Sequence, residues 1–347
     1  MDARKVRIGV VGLGGWGKNV VRSFSAAKNC QLAYVCDASQ KTLAHHRQLY
    51  PQATATDSYE QLLADSTLDA IALVTPAPMH FDMAKAALNA GKHVYVEKPM
   101  TLTESHARQL VQLADESGQK LMVGHLLEYH PAIDRIKQEI DSGSLGDIQY
   151  MYCSRLNLGV VRQHENAFWS LAPHDISVVM YLFGAEPDGV YARGECYLQP
   201  GVEDVVFVNL HFADRRMAQI HVSWLDPQKE RKMVVVGSKK MLVFDDMQPS
   251  EKVRIYDKGT QSQTPSGTAM QAIGVRHGDI HIPHISGGEP LDVETQHFIN
   301  SIIHDTVPRS DGYDGLRVVR VLEQVERQLR QQPTIFPLAG FNKTHAA

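Results

Sequence analysis

The stretch Arg7-Ile8-Gly9-Val10-Val11-Gly12-Leu13-Gly14-Gly15-Trp16-Gly17 decides how the first part of the chain folds. A short apolar run turns on glycines and continues into a helical pattern, which predicts a strand, a tight turn and a helix. Gly12, Gly14 and Gly17 match the spacing G-x-G-x-x-G, in which glycines make the turn, let the backbone approach a pyrophosphate and let the helix pack on the strand. Because the unpaired N–H groups at a helix N-terminus favour an anion, we expect a dinucleotide to be bound by Gly12, Gly14, Gly15, Trp16 and Gly17.

A second apolar run, residues 31–36, ends at Asp37, which lies twenty residues after Gly17. A carboxylate at the end of the second strand accepts hydrogen bonds from both hydroxyls of the adenosine ribose and repels a 2′-phosphate. Ala38 and Ser39, which follow, supply no arginine that would neutralise such a phosphate. The pattern therefore predicts NAD as cofactor in preference to NADP. The alternative is an ordinary surface aspartate in a strand-to-helix loop.

The composition of the 347-residue chain limits the classes of protein it can represent. Its length is enough for roughly two domains, and 43% hydrophobic with 21% charged residues is typical of a soluble globular protein. The formal net charge of -4 and the lack of a lysine-rich or arginine-rich block argue against a nucleic-acid partner. No apolar run has the length that a membrane span needs. We expect neither nucleic acid nor membrane as a partner.

Four cysteines, Cys30, Cys36, Cys153 and Cys196, are scattered without the C-x-x-C spacing of many metal and redox sites. Their low density is typical of reduced thiols in a cytoplasm. The glycine fingerprint begins almost at the first residue, which leaves no space for a signal peptide before it. We therefore expect a cytoplasmic protein.

The order of apolar runs predicts two architectures. In residues 1–124 short apolar runs alternate with amphipathic helical patterns, as in the βαβ units of a doubly wound parallel sheet, or Rossmann fold. The loop Thr75-Pro76-Ala77-Pro78 follows a strand at the edge where such sheets bind ligands, so we expect it to contact the cofactor. In residues 125–347 long strand-like runs joined by short turns predict an α+β domain with a large open, mainly antiparallel sheet. Helical patterns in this part cover residues 131–141, 171–183, 294–304 and 313–331.

Two motifs at the edge of the parallel sheet connect the chain with a known family, namely Glu97-Lys98-Pro99 and Thr75-Pro76-Ala77-Pro78-Met79-His80. With the glycine fingerprint, a later helix that carries a histidine and the open sheet, they make the chain resemble the glucose-fructose oxidoreductase, inositol dehydrogenase and MocA family of NAD(P)-dependent oxidoreductases over essentially its whole length. The resemblance implies that Lys98 lies between nicotinamide and substrate and that the Lys98-Pro99 peptide is cis. It also implies a cofactor site that includes Thr75, Pro76, His80, Glu97 and Lys98.

A lysine suits this position on chemical grounds as well. When a secondary alcohol loses hydride, its oxygen acquires alkoxide character, and a fixed ammonium about 3 Å away stabilises that charge in a dry site. Burial and neighbouring charges can tune the pKa of a lysine to this task. We therefore expect Lys98 to be catalytic, the alternative being a solvated lysine at a strand end.

The segment Phe168-Trp169-Ser170-Leu171-Ala172-Pro173-His174-Asp175 supplies the second catalytic candidate. Members of the family usually have D-x-x-x-H here, with both side chains on one helix face toward the substrate hydroxyl. This chain has His174 but carries Ser170 in place of the aspartate, and Asp175 would point in another direction. We expect His174 to be the general base and Ser170 to lie beside the substrate. A capping or packing histidine is the alternative.

Further residues are candidates for substrate contacts. His125 and Tyr129 fall where the family has a substrate-facing loop, and each is equally compatible with packing. Arg155, Asn157 and Arg162 offer donors to an anionic group such as a diphosphate, or are surface residues.

The segment Arg276-His277-Gly278-Asp279-Ile280-His281-Ile282-Pro283-His284 contains three histidines without the spacing of a zinc site. His277 and His281 share a face only if the segment is a strand, and no cysteine or H-E-x-x-H pattern accompanies them. We interpret the segment as solvated or interface-facing and expect no metal.

Together these features predict an NAD-dependent dehydrogenase that oxidises a secondary alcohol of a sugar reversibly and without a metal. Residues 169–184 and 308–323 are similar to family members of surface-polysaccharide biosynthesis, which implies a nucleotide-linked sugar as substrate. A free polyol or inositol dehydrogenase and a non-catalytic NAD-binding regulator are the alternatives. Retention of both Lys98 and His174 argues against the regulator.

One face of the large sheet should need a partner. An antiparallel sheet that its own helices cover on one side leaves the other side for another protein. We therefore expect a homodimer or homotetramer that buries the apolar side chains Val206, Val208, Leu210, Ile220, Val222 and Trp224.

Overall fold

Parallel strands form the first sheet of the computed structural model, which describes residues 5–159, 161–163, 165–262 and 273–331. The strands are β1 Val6–Val11, β2 Cys30–Cys36, β3 Thr54–Thr56, β4 Ala70–Leu73, β5 His93–Val96 and β6 Leu121–Val123. They lie in the order β3-β2-β1-β4-β5-β6, and every neighbouring pair is parallel. This order confirms the predicted doubly wound sheet, whose ligand edge is the carboxyl end of the strands.

Helices connect these strands and cover both faces of the sheet. They are α1 Gly17–Ala26, α2 Gln40–Leu49, α3 Tyr59–Ala64, α4 His80–Asn89 and α5 Glu104–Ser117. The side chains of Ser39 and Thr103 accept backbone hydrogen bonds at the beginnings of α2 and α5, which determines where these helices start. Ile8 packs into the core on one side of the sheet and Leu73 into the core on the other. The strands are continuously apolar because both faces are buried.

A second sheet contains eight strands of the described residues. They are β7 Ile148–Leu156, β8 Gly189–Glu195, β9 Val205–His211, β10 Met217–Ser223, β11 Glu230–Gly237, β12 Met241–Asp245, β13 Val253–Ser262 and β14 Ile273–His281. The order is β14-β13-β12-β11-β7-β10-β9-β8, and only β7 and β10 are parallel neighbours. The predicted large, mainly antiparallel sheet is confirmed. The sequence did not indicate β13 and β14 because polar residues such as Asp257 and Lys258 interrupt their apolar pattern.

The helices that accompany the second sheet differ from the prediction at one point. They are α6 Pro131–Asp141, α7 Ala167–Leu171, α8 Pro173–Phe183, α9 Pro290–Ile303 and α10 Gly312–Gln331. The helix predicted for residues 171–183 is present as α8, which begins two residues later than expected, and the sequence did not indicate the short helix α7 that ends at Leu171. Pro173 has no N–H with which to continue α7, and it begins α8, where that N–H is not needed. None of the helices in the described residues combines the length and apolar character that crossing a bilayer requires.

The two faces of the second sheet differ in their cover. Burial alternates along β9 and β10, and the buried side chains pack with α8 and α10. The six side chains expected to need a partner lie on this covered side: Val206, Val208, Leu210, Ile220, Val222 and Trp224. That expectation is therefore wrong about which face they occupy. The opposite face exposes aromatic side chains instead, among them Tyr150, Tyr152 and Phe207.

The C-terminal helices return to the first sheet. The hydroxyl of Ser23 on α1 lies 2.7 Å from that of Thr295 on α9. Phe24 packs edge-on against Phe298 with 6.2 Å between the ring centroids. The helix α10 packs against both α5 and β8. Side chains of α9 and α10 are thereby brought under the ligand edge of the parallel sheet.

The three histidines of the C-terminal segment are exposed: His277 and His281 lie on β14, and His284 follows it. His277 pairs with Lys258 and His281 with Ile255, with a register shift between the two pairs. On a regular strand, side chains four residues apart such as His277 and His281 would share a face. The register shift between them interrupts this alternation, so the strand does not place them on a common face.

Candidate active site

Two glycines of the fingerprint are required by contacts within the protein. Gly12 has a φ of +89°, a conformation that other residues disfavour, and a Cβ there would lie 2.6 Å from the carbonyl oxygen of Val74. A Cβ on Gly17 would lie 1.9 Å from the carbonyl oxygen of Gly12. The turn therefore brings the ends of β1 and β4 and the start of α1 into direct contact.

Gly14 and Gly15, in contrast, face open space. A Cβ added to either would meet no protein atom within 4 Å. A cavity of about 730 Å³ begins at these glycines and continues between α1 and α2, with Lys18, Arg22 and Lys41 in its wall. Cations and a helix N-terminus both favour an anion. The geometry therefore fits the pyrophosphate of a dinucleotide.

Asp37 fastens the glycine loop. Its carboxylate accepts hydrogen bonds from the backbone N–H of Leu13, at 2.7 Å, and from that of Ser39, at 2.8 Å. Each carboxylate oxygen has a second lone pair, so Asp37 retains the capacity to accept hydrogen bonds from ribose hydroxyls. The sequence indicated the cofactor contact but not the structural role.

Glu97 joins the two motifs that the sequence singled out. Its Oε1 accepts a hydrogen bond from the indole N–H of Trp16 at 2.7 Å and one from the hydroxyl of Tyr95 at 3.2 Å. Its Oε2 accepts a bond from the backbone N–H of Lys98 at 3.3 Å. Burial raises the pKa of Glu97, although these hydrogen bonds and the charge of Lys98 oppose the rise. The carboxyl group thus holds the fingerprint loop beside the lysine.

His80 connects the Thr75 loop with Pro99. Its Nδ1 lies 2.9 Å from the carbonyl oxygen of Pro99, and its Nε2 lies 2.7 Å from that of Thr75. The Lys98-Pro99 peptide is cis, as the resemblance implied. Because both ring nitrogens contact carbonyl oxygens of the protein, the expectation that His80 binds the cofactor is corrected: it positions the two loops.

Lys98 lies where the two sheets meet. Its Nζ donates a hydrogen bond to the main-chain carbonyl oxygen of Ser170, on α7, at 3.0 Å. Burial lowers the pKa of Lys98, and the charges of Glu97 and Glu165 oppose the shift. An ammonium has three N–H donors, so this contact fixes Nζ and leaves donors for a ligand. Such a fixed cation can stabilise a developing alkoxide.

His174 is the second residue of α8, four positions after Ser170 on α7. Its Nδ1 is buried and has no hydrogen-bond partner among the described residues. Burial lowers the pKa of His174 well below its usual value, and the positive charges of Lys98 and Arg155 contribute. The neutral imidazole is the form that a general base requires. Residues 170 and 174 lie on α7 and α8, which are joined at Ala172 in helical backbone conformation, and Ser170 contributes its carbonyl oxygen to Lys98.

Two residues expected to contact substrate have partners within the protein. Arg155 donates to both oxygens of Asp175, from Nε at 2.7 Å and from Nη2 at 2.9 Å, so this ion pair uses two of its five N–H donors. The hydroxyl of Tyr129 lies 3.0 Å from that of Ser310, and the residue is 1% exposed. The Tyr129 side chain is closed to a sugar, which corrects that expectation, whereas the substrate contact of Arg155 stays a prediction that its remaining donors would serve.

His125 is also 1% exposed, and it lies in a cluster with Glu128 and Asp314. Its Nδ1 is 2.6 Å from Oδ2 of Asp314 and 3.5 Å from Oε1 of Glu128. Burial alone would lower the pKa of His125, but the hydrogen bonds and charges of the two carboxyl groups raise it to about 10. The donor atoms lie within 4.8 Å of one another, a spacing that a metal could also use, but 2.6 Å is the length of a charge-assisted hydrogen bond. His125 is therefore not the substrate ligand that the sequence led us to expect.

Arg162 lies near Lys98, whereas the substrate contact expected of Asn157 stays a prediction. Arg162 pairs with Glu165 at 2.5 Å while 58% of its side chain is exposed. Its charge is among those that act on the pKa of Lys98. Asn157 directly follows β7 and is half-buried. An anionic part of a substrate that reached Lys98 would meet Arg162 at the open side of the site.

The comparisons with known proteins now identify the family. Residues 6–125 match the oxidoreductase family with an NAD-binding Rossmann fold, and residues 133–243 match the GFO/IDH/MocA C-terminal domain. The chain belongs to the GFO/IDH/MocA family. This protein is therefore an NAD-binding oxidoreductase, and the family predicted from its motifs is confirmed.

Several relatives of this GFO/IDH/MocA protein are dehydrogenases. The UDP-N-acetylglucosamine 3-dehydrogenase of Acidithiobacillus ferrooxidans is 28% identical over 321 residues, which are 92% of this chain and 96% of that protein. A solved structure of that enzyme has a TM-score of 0.80 at 26% identity and covers 94% of this chain and 98% of its own. The scyllo-inositol 2-dehydrogenase (NAD(+)) of Bacillus subtilis is 30% identical over 208 residues, 57% of this chain and 60% of that protein. The scyllo-inositol dehydrogenase of Lactobacillus casei, solved with NAD(H) and scyllo-inositol, shares the fold with a TM-score of 0.76 at 20% identity, covering 94% and 97% of the chains.

The sequence did not indicate three acidic residues that form hydrogen bonds with side chains around this GFO/IDH/MocA site. Asp175, Asp314 and Glu294 contact Arg155, His125 and Tyr95, respectively. The last two contacts join residues 189 and 199 positions apart. A charge at a buried helix position is a signal that a partner exists, but helical spacing does not say which residue that partner is.

Proposed function

We propose that this protein transfers hydride between the nicotinamide of NAD and a secondary alcohol of a nucleotide-linked sugar. The observation that carries the proposal is the position of Lys98, which contacts Glu97 of its own motif and, through Nζ, the carbonyl oxygen of Ser170. These contacts fix one ammonium between the fingerprint loop and the helix pair that carries His174. Bound NAD⁺ supplies the hydride acceptor.

Lys98 and His174 divide the chemistry of the hydroxyl between them. The ammonium of Lys98 stabilises the negative charge that grows on the substrate oxygen as the C–H bond breaks. His174, held neutral by burial and by neighbouring cations, accepts the proton of the hydroxyl. In the direction of ketone reduction the same two groups act in reverse.

Two observations support a nucleotide-linked sugar. Arg162 places an exposed guanidinium near Lys98, where it can bind the diphosphate of such a substrate with two parallel hydrogen bonds. The relative from Acidithiobacillus ferrooxidans, which matches nearly the whole chain, is named for its action on UDP-N-acetylglucosamine.

The substrate proposal is tested by following NADH absorbance with UDP-N-acetylglucosamine and, separately, with scyllo-inositol. We expect turnover with the nucleotide sugar, and we expect Arg162→Ala to raise its KM more than it lowers kcat, because the guanidinium binds a part of the substrate that does not react. Exposed Arg215, at the tight turn between β9 and β10, provides the control variant Arg215→Ala, which should leave KM unchanged. Turnover with scyllo-inositol alone would reassign the protein to the inositol dehydrogenases.

The preference for NAD over NADP is assigned to Asp37. Its carboxylate would lie against the 2′-phosphate of NADP, and like charges repel. We expect NAD⁺ to bind with the lower Kd, and we expect Asp37→Asn to narrow the difference because the amide keeps an acceptor oxygen and removes the charge. Fluorescence titration with both cofactors measures this. A wild-type protein that binds NADP⁺ more tightly would remove Asp37 from this role.

A further inference from the structure

A line of buried ionisable side chains leads from the reaction site into the interior. Glu97, beside Lys98, contacts the hydroxyl of Tyr95 at 3.2 Å, and that hydroxyl lies 3.0 Å from Oε2 of Glu294. These three residues are between 0 and 9% exposed. A phenol has one proton, so it can donate to only one of the two carboxyl groups at a time. The arrangement is satisfied when another proton is shared among the three groups.

The line continues into the cluster of His125, Glu128 and Asp314. The helix α9, which carries Glu294, packs against the segment Leu126–Tyr129, which carries Glu128. The charges of His125 and Glu128 accordingly act on the pKa of Glu294. Within the described part of the chain, three buried atoms of the line have no hydrogen-bond partner: Oε1 of Glu294, Nε2 of His125 and Oε1 of Glu128. Buried polar atoms without partners are costly, and ordered water characteristically satisfies such groups. The free atoms mark where water can link one group to the next.

The far end of the line reaches a cavity. Glu128 and Asp314 line a cavity of about 360 Å³, together with Arg317 and Glu186. The side chains of Arg317 and Glu186 are 36% and 45% exposed, so the cavity is continuous with solvent. The interior groups therefore have an exit that does not pass through the space that substrate and cofactor would occupy.

We propose that six side chains, the proton line, conduct protons between the reaction site and this cavity: Tyr95, Glu97, His125, Glu128, Glu294 and Asp314. The inference rests on the proposed function, since the proton comes from the substrate hydroxyl. When the alcohol is oxidised, the C–H electron pair leaves as hydride to NAD⁺ and the O–H proton passes to His174. His174 then gives this proton through water to Glu97, and Glu128 releases one proton to water in the cavity, so both His174 and the line regain their original proton counts.

The electrostatics of the line agree with such a role. Burial raises the pKa of Glu294 well above its usual value and also raises that of Glu97. Burial, with the charge of Asp314, raises the pKa of Glu128. Glu128, whose pKa is raised to about 8, therefore holds its proton at neutral pH, and burial favours the protonated forms of Glu97 and Glu294 as well. Burial would also raise the pKa of Asp314, but the hydrogen bond and charge of His125 lower it, and Arg317, 3.2 Å away, contributes.

The test mixes the full-length protein with NAD⁺ in weakly buffered solution that contains a pH indicator. The cationic nicotinamide should favour the ionised form of Glu97, so we expect the wild-type protein to release protons in step with the change in tryptophan fluorescence that reports binding. In Glu294→Gln and in His125→Gln, the rate of proton release should be at least tenfold lower than the rate of the fluorescence change. Glu186→Gln is the matched control, because Glu186 lines the cavity outside the line, and it should behave as the wild type.

Three results would overturn the proton line. The first is that the wild-type protein releases no proton on binding NAD⁺. The second is that proton release keeps pace with binding in both variants, whose folding is checked by their Tm. The third is loss of the signal in EDTA with recovery on adding one divalent cation, which would make His125, Glu128 and Asp314 metal ligands. Because no sugar is present, failure of every sugar to yield NADH would contradict the proposed function without producing any of these results.

Discussion

At the scale of single residues, the site depends on groups that the protein holds in an unusual state. Burial lowers the pKa of both Lys98 and His174, which makes the lysine a better proton donor than in water and keeps the imidazole neutral. The carbonyl of Ser170 fixes the lysine, while the imidazole Nδ1 has no partner within the described residues. A rigid cation and a neutral base thus lie side by side.

Replacing Lys98 by methionine should remove transition-state stabilisation and leave cofactor binding intact. We expect kcat for Lys98→Met to fall about 10²- to 10³-fold, the range found for loss of one donor to a developing oxyanion, with little change in the Kd for NAD⁺. Initial rates and fluorescence titration measure the two quantities. Lys120→Met serves as the control, because Lys120 pairs with exposed Asp305. Near-normal turnover in Lys98→Met would exclude the lysine from the chemistry.

A carboxylate at position 170 should change the pH profile of oxidation. Ser170→Asp puts a negative charge near Lys98 and His174, which favours the imidazolium and raises the pKa of His174. Since the neutral imidazole is the active base, the rising limb of the kcat profile should move to higher pH. Ser170→Asn has the same size without the charge and should leave the limb in place. If the aspartate also leaves it in place, His174 is not the group that titrates.

At the scale of elements, different glycines of the turn between β1 and α1 serve the fold and the binding of the cofactor. Gly12 and Gly17 are needed because the protein's own backbone approaches them, whereas Gly14 and Gly15 border open space. The junction between α7 and α8 also serves both purposes. Pro173 ends the hydrogen bonding of α7, and the carbonyl oxygen of Ser170 in its last turn accepts the hydrogen bond from Lys98.

Alanine at two fingerprint positions should have opposite effects on stability and binding. Gly17→Ala forces a Cβ to within 1.9 Å of a backbone oxygen, so we expect the free energy of unfolding to fall by roughly 2 to 4 kcal/mol. Gly14→Ala meets no protein atom, so it should fold normally and lose affinity for NAD⁺ because the methyl group fills the space of the pyrophosphate. Denaturant unfolding and cofactor titration measure both. A Gly14→Ala protein with unchanged affinity would place the phosphates elsewhere.

The parallel sheet was predictable because its strands are buried on both faces and read as continuous apolar runs. Which face of the second sheet its helices cover could not be predicted. Val206 and its neighbours alternate with residues that are also partly apolar, so the sequence pattern does not distinguish the two faces. Among the site residues, Lys98 carried a local motif. The ion pair of Arg155 with Asp175 depends on how α8 lies on the sheet, which local spacing does not contain.

At the scale of the whole molecule, the open face of the second sheet is the surface that we propose for self-association. It exposes Tyr150, Tyr152 and Phe207, and the ring of Phe207 stacks on His221 with 4.2 Å between centroids. A flat, aromatic sheet face is the kind of surface that a partner buries. A second copy of the chain offers the same face, as a closed dimer requires.

A charge in the middle of that face should separate the copies. We expect the wild-type protein to sediment as a dimer or tetramer at micromolar concentration and Tyr152→Asp or Phe207→Asp to sediment as a monomer, because the aspartate would be buried without a partner. Tyr197→Asp is the control, since Tyr197 is exposed outside the strands of the sheet. A monomeric wild-type protein would end the proposal.

The central claim, hydride transfer from a sugar carbon to nicotinamide, is tested most directly with UDP-N-acetylglucosamine that carries deuterium on the carbon bearing the oxidised hydroxyl. The reaction with NAD⁺ is followed by mass spectrometry of the cofactor, with Lys98→Met as the control that should transfer little. We expect deuterium to appear in the NADH formed by the wild-type protein, and we expect deuteration to slow the transfer. Deuterium that stays in the sugar or passes to water, while NAD⁺ binds normally, would contradict it.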